Sequence, residues 1–270
     1  MQIRRFLLLG FVTAALCAAP TASAQPSLPN SISGIGDSIT RATDVCCWYG
    51  DHPPQSWSTG GGAFDGIQSH YERIRAQNPA VSGHNFNDAR AGAKMRDAQG
   101  QAQTAVAQQA AYVTILMGAN DVCTGSPSTM TNVADFQDQF AATMSTLAGL
   151  PDDSHVFVSS IPNVYQLWQL LHNNLAAQLV WSLAQICQSM LSPANTEADR
   201  QFVLAREQAF NQVLADVCRQ YEFCRFDERA AFDYQFSTGQ VSKLDYFHPS
   251  LSGQSALASL SWQHSWWGTP

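Results

Sequence analysis

Apolar and polar residues alternate with two different periods along this chain. Residues 32–36 form a short apolar run ending in a glycine turn, and residues 112–117 are apolar almost throughout, as a strand covered on both faces should be. Residues 156–161 read the same way, and 85–88 and 223–226 are shorter strands. Between these runs the period becomes helical. Phe64, Ile67, Tyr71 and Ile74 predict a helix over 64–77, and further helices are predicted over 95–108, 133–147, 164–190, 196–221 and 251–262. Glu197 and Asp199 fall in the first turn of the fifth, where the helix dipole favours acids. Residues 41–62, rich in Gly, Pro, Trp and Cys, form a loop long enough to be functional. Strands alternating with helices imply parallel pairing through right-handed crossovers. The expected fold is therefore α/β, a three-layer α/β/α sandwich with a five-stranded parallel sheet.

Composition adds the boundaries. The chain has 270 residues, 45% of them hydrophobic, enough for one sizeable core. Without a low-complexity linker, internal repeat or charge block, residues 25–270 read as a single domain. Residues 1–24 read as a signal peptide: Arg4 and Arg5, then the apolar stretch 6–19, then Ala22-Ser23-Ala24 as a small-x-small cleavage site. Leu16 before Cys17 makes a poor lipobox, and no later stretch is long and apolar enough to span a bilayer. A secreted or periplasmic protein is expected. Cleavage removes two arginines and takes the formal charge from −7 to −9. That balance argues against a nucleic-acid partner and against charge-driven anchoring on anionic lipid.

Cysteine usage agrees with export, since six of the seven cysteines follow the leader, an even number that reads as disulfides in an oxidising compartment. Spacing alone does not fix the connectivity. Cys218 and Cys224 are placed for a local bridge at a helix-to-strand turn, and Cys123–Cys187 would then tie two loops. Adjacent Cys46 and Cys47 remain, whose direct pairing strains the backbone, so one of them pairing elsewhere stays open. No C-x-x-C with matching partners supports zinc.

The chemistry-bearing segments are Gly36-Asp37-Ser38 after the first strand, Gly92 after the second, Gly118-Ala119-Asn120-Asp121 after the third, and Asp245-Tyr246-Phe247-His248-Pro249 near the end. All lie beyond carboxyl ends of strands, the rim where open α/β sheets place their sites. Together they supply a serine nucleophile, a histidine base and an aspartate that orients it. They also supply oxyanion donors: the Ser38 and Gly92 N–H groups and the Asn120 amide. A helix starting just past Ser38 would add further N–H groups. Taken singly, Ser38 is a helix cap, Gly92 a turn glycine and Asn120 a turn residue. Of the seven histidines only His248 combines an acid three residues before it, a Pro after it and a C-terminal loop position. Asp227 and Asp233 are the alternative acids, and Asp37 and Asp121 read as structural. This chemistry requires no metal or organic cofactor.

These segments resemble the GDSL family, also called SGNH hydrolases after four marker residues that map here to Ser38, Gly92, Asn120 and His248. The resemblance covers about residues 31–258. Residues 56–61, Ser-Trp-Ser-Thr-Gly-Gly, look like the phospholipase-B-like branch. It implies the sheet order 2-1-3-4-5 and hydrolysis of acyl esters, lysophospholipid or phospholipid included, with transient contact to a lipid surface. Carbohydrate acetyl esters, thioesters, acyl transfer, and a secreted binding module without turnover are the alternatives. Residues 165–175 read either as an acyl-chain groove or as a core stripe; Trp48, Tyr49 and Trp57 are candidate substrate walls. The absence of G-x-S-x-G sets the chain apart from the α/β-hydrolase pattern.

Overall fold

The computed structural model describes residues 25–268; the expected signal peptide, residues 1–24, lies outside the described residues. Five strands, β1 (Ile32–Gly36), β2 (Asn85–Asn87), β3 (Tyr112–Leu116), β4 (His155–Val158) and β5 (Cys224–Phe226), form one sheet in the order β2-β1-β3-β4-β5, every neighbouring pair parallel. The helices in chain order are α1 (His70–Gln77), α2 (Met95–Ala107), α3 (Ala119–Val122), α4 (Val133–Leu147), α5 (Val164–Leu171), α6 (Leu175–Leu183), α7 (Gln188–Leu191), α8 (Glu197–Cys218), α9 (Ala230–Asp233) and α10 (Leu251–Gln263).

The period-2 pleat sorts the strand residues between two cores. Ile35, Val113, Ile115, Val156 and Val158 pack with α2, α4 and α8 on one face. Ile32, Tyr112, Leu116 and Phe157 pack with α1 and α10 on the other. That division is the expected three-layer sandwich, and it explains why β1 and β3 are buried at every position. His70 belongs to the second core. Its Nδ1 lies 2.9 Å from the Tyr112 hydroxyl and its Nε2 2.7 Å from Ser261 Oγ. Burial pushes its pKa down to about 3, so it is a neutral, satisfied core group.

The elements depart from the sequence expectation in four places. The helix predicted over 64–77 begins only at His70: Phe64 is exposed with φ +61°, and Ser69 and Glu72 close a capping box. The helix predicted over 164–190 is three helices. Asn174 caps α6 by accepting from the Ala176 and Ala177 N–H groups, and Gln185 and Cys187 take left-handed φ values before α7. No helix follows Ser38; residues 38–44 are a run of turns. Trp57, a candidate substrate wall, is fully buried in the core instead, its indole N–H donating to Thr40 Oγ1.

Disulfides join Cys123 to Cys187 and Cys218 to Cys224, while Cys46 and Cys47 are free thiols. Cys46 and Cys47 are therefore a correction to the reading of all six as disulfide-bonded. They follow Asp44 in an irregular loop, and the other four described cysteines are paired with one another.

Candidate active site

The site is built from the ends of the strands inward. Ser38 lies buried just past β1. Two buried glutamines fix the backbone on either side of it. The Gln101 side chain from α2 accepts from Gly36 N–H at 2.8 Å and donates to Gly36 C=O at 3.0 Å. Gln254 from α10 donates to Ile39 C=O at 2.8 Å and accepts from Trp57 N–H at 2.9 Å. The turns after Ser38 are closed by Arg41 N–H on Asp37 C=O and Thr43 N–H on Ser38 C=O. Asp37 Oδ1 accepts from Ile39 N–H at 2.9 Å, a local loop bond of the expected structural kind. Burial pushes the Asp37 carboxyl up to about 7; the Ile39 N–H and the charge of His248 hold it from going higher, while Asp121 adds to the rise.

The two middle segments meet over the neighbouring strand ends. Gly92 follows β2 with φ +77° and open space around it, a backbone that an L side chain rarely adopts. Gly118 lies just past β3 at φ +127°, and a Cβ there would fall 2.5 Å from Ile161 Cδ1, so only glycine permits the turn that launches Asn120. Asn120 Nδ2 donates to Ala93 C=O at 3.0 Å, which seats it beside Gly92. A carboxamide nitrogen has two hydrogens, so one remains to donate elsewhere. Asp121 accepts from Met95 N–H at 2.9 Å and from the Thr131 hydroxyl at 2.7 Å, and joins this turn to the start of α2.

The last segment folds as a tight loop. Asp245 Oδ1 accepts from the N–H groups of Phe247 and His248 at 2.9 and 3.1 Å, and its Oδ2 is hydrogen-bonded to His248 Nδ1. Tyr246 takes φ +57° between them. Trp181 Nε1 donates to Tyr246 C=O at 3.0 Å, and the Tyr49 hydroxyl donates to Leu244 C=O at 3.1 Å. The Ser242 hydroxyl donates to the main-chain carbonyl of Asp44, so the loop after β1 and the histidine loop are one unit.

Burial disfavours the charged imidazole of His248. The hydrogen bond and charge of Asp245, with Asp44 and Asp37 behind it, outweigh that and raise its pKa above 6.5. Burial likewise opposes ionisation of Asp245, and the bond to His248 wins, leaving its pKa below the ordinary value. His248 Nε2 is buried with no hydrogen-bond partner among the described residues. An imidazole tied at Nδ1 and free at Nε2 is the tautomer that accepts a proton at Nε2.

Asp44 is the participant that no sequence signal marks. It stands beside Asp245 and His248 with potential ligand atoms of all three within 4.8 Å of one another. Burial raises its pKa, the Gly50 N–H opposes the rise, and the charge of Asp245 adds to it. Both Asp245 oxygens already hold loop N–H groups and the imidazole, so a cation would have to displace the bonds that shape the loop. The alternative acids are engaged elsewhere. Asp227 accepts from Ser160 Oγ at 2.8 Å and from Ala231 N–H at 3.1 Å, and Asp233 pairs with Arg229.

A solvent-open apolar pocket lies beside these residues, lined by their chain neighbours. Its walls include Ile39 beside Ser38, Ala119 beside Asn120, and Phe247 and Pro249 on either side of His248. Val164 and Leu167 close it from α5, and Phe236 and Val241 from the chain before the histidine loop. The 165–175 stripe thus divides: Leu167 faces the pocket, Leu171 is core, and Leu175 is exposed. The buried carboxyl of Glu207 accepts from Val164 N–H, and Asn211 Oδ1 accepts from Ile161 N–H at 2.8 Å, so α8 holds this wall in place.

Residues 32–261 match the family described as GDSL-like Lipase/Acylhydrolase. No curated protein sequence matches the chain. Among solved structures, phospholipase A1 from Streptomyces albidoflavus is similar with a TM-score of 0.52 and 14% identity, over 88% of this chain and 100% of that one. An acetyl esterase mutant with acetate ion is similar with a TM-score of 0.50 and 15% identity, over 85% of this chain and 93% of that one. At such identities the likeness is one of fold, and it agrees with the five-stranded order seen here.

Proposed function

Since the chain belongs to the GDSL-like lipase/acylhydrolase family and is a serine ester hydrolase, we propose that it cleaves esters of apolar acyl chains through an acyl-enzyme on Ser38. His248 Nε2 takes the Ser38 hydroxyl proton as Oγ bonds to the ester carbonyl carbon, and the carbonyl electron pair moves to oxygen. The resulting oxyanion is held by the N–H groups of Ser38 and Gly92 and the free Asn120 amide hydrogen. Collapse of this intermediate breaks the bond to the alkoxide, which leaves with the proton from His248. Water then repeats the sequence on the acyl-enzyme and releases the acid. Asp245 keeps the imidazole oriented throughout.

The observation that carries the acyl preference is the pocket, because it opens between the sequence neighbours of Ser38, Asn120 and His248 and its walls are chiefly aliphatic and aromatic. Burying each methylene of a chain there contributes about 0.8 kcal/mol, which an acetyl group cannot exploit. Two disulfides support action in an oxidising compartment, in keeping with export by a cleaved leader.

The test is hydrolysis of p-nitrophenyl esters from acetyl to palmitoyl, beside lysophosphatidylcholine and an acetylated sugar, with Ser38→Ala as the blank. The proposal expects kcat/KM to rise with chain length and lysophosphatidylcholine to be cleaved. Activity confined to acetyl esters would replace it with a small-ester or carbohydrate role.

A further inference from the structure

The helix α6 presents an unusual face to solvent. Leu175, Leu179 and Leu183 recur every fourth residue and are 79%, 60% and 76% exposed. Residues four apart on a helix lie on one side, so the three leucines form a single ridge. The opposite side of the same helix buries Ala177 and Trp181, and Trp181 Nε1 grips the Tyr246 carbonyl between Asp245 and His248. A second exposed apolar tip, Trp48 and Tyr49, is held to the same loop by the Tyr49 hydroxyl on Leu244 C=O. Two solvent-facing apolar features thus grip the histidine loop two residues apart. The preceding helix α5 supplies Val164 and Leu167 to the acyl pocket.

We propose that the α6 ridge, with the Trp48–Tyr49 tip, docks the protein on a lipid surface of zwitterionic, uncharged-on-balance headgroups, bringing the pocket mouth to its substrate. Charge selects this occupant. Residues 154–196 contain no Asp, Glu, Lys or Arg, so the segment carrying the ridge meets the interface without desolvating a formal charge. The protein as a whole is acidic, at −7, and an anionic surface would repel it. Geometry disfavours a second copy of the chain. A nine-residue helix is roughly 13 Å long. Such a ridge falls well short of the roughly 800 Å² per partner of a stable protein interface. Insertion into a lipid interface needs no complementary partner surface, and leucines with a flanking aromatic suit the boundary between headgroups and chains. The proposal rests on the reading of the site as one for long acyl esters.

The experiment compares the full protein with a Leu175→Ser/Leu179→Ser/Leu183→Ser variant. Cosedimentation with phosphatidylcholine vesicles is measured in a Ser38→Ala background, so that hydrolysis does not consume the vesicles. Rates are measured in the active background on vesicle-borne phospholipid and on monomeric p-nitrophenyl butyrate. The expected result is vesicle binding weakened at least about tenfold by loss of the ridge, with a similar loss of rate on vesicles. The rate on monomeric ester should be unchanged, which also shows that the variant folds. Equal vesicle binding by both proteins would overturn the proposal. So would binding strengthened by added phosphatidylserine, or a wild-type dimer that the substitutions dissociate. Vesicle binding without turnover of any ester would instead overturn the acyl-ester reading and leave the docking surface standing. Turnover of monomeric long esters without vesicle binding would do the reverse.

Discussion

At the residue scale the site is governed by one hydrogen bond. Asp245 raises His248 above 6.5 against the pull of burial, so the imidazole is protonated, and inactive as a base, until the pH passes that raised value. kcat/KM should therefore rise with pH through a midpoint above 6.5. In Asp245→Asn the remaining burial should bring the midpoint down, while turnover falls by about four orders of magnitude because the tautomer is no longer held. A pH–rate profile of both proteins checks this; an unshifted midpoint would contradict it. The same shift has a stability sign: a raised folded pKa stabilises the fold below pH 6.5, and that contribution disappears as pH climbs through the folded value. Gln254 gives a second residue-scale expectation. Gln254→Leu leaves the Ile39 carbonyl and the Trp57 N–H without partners, each orphan costing about 1–3 kcal/mol. Denaturant unfolding should show the loss, and kcat should fall by roughly tenfold or more as Ser38 loses its support. Full activity and stability would deny Gln254 this role. The Asp245–His248 bond and the place of Ser38 just past β1 were legible because each sits in a short local pattern. Gln101 and Gln254 were not, because their partners lie 65 and 215 residues away and no spacing encodes them.

At the element scale, the sequence period identified the five strands and most helices, since nearly all of them bury one face or both, β2 alone among the strands being only half-buried. It failed where the chain breaks without changing period. Residues 164–190 keep a helical rhythm through α5, α6 and α7, and the breaks come from a capping asparagine and from the left-handed residues Gln185 and Cys187. The Cys123–Cys187 bridge fixes α7 to the end of α3, and it closes a separation of 64 residues. Chain-entropy arguments assign such a closure about 4 kcal/mol. Replacing both cysteines by serine should lower stability on that scale in denaturant unfolding. A loss below about 1 kcal/mol would show that α7 is held by packing alone.

At the scale of the whole molecule, the two cores follow from alternation along β1, β3 and β4, whereas the strand order was implied by the family resemblance and not by the periodicity. The pocket does not follow from any pattern, because its walls come from five separate stretches between Ile39 and Pro249. The sheet collects those stretches at one rim, where chain neighbours of Ser38, Asn120 and His248 line an apolar cavity. The measurement that bears most directly on this account is intact-protein and peptide mass spectrometry after treatment with a fluorophosphonate. The account predicts one adduct, on Ser38, abolished in Ser38→Ala and strongly slowed in His248→Ala. A folded wild-type protein that stays unlabelled, or an adduct on another residue, would contradict it.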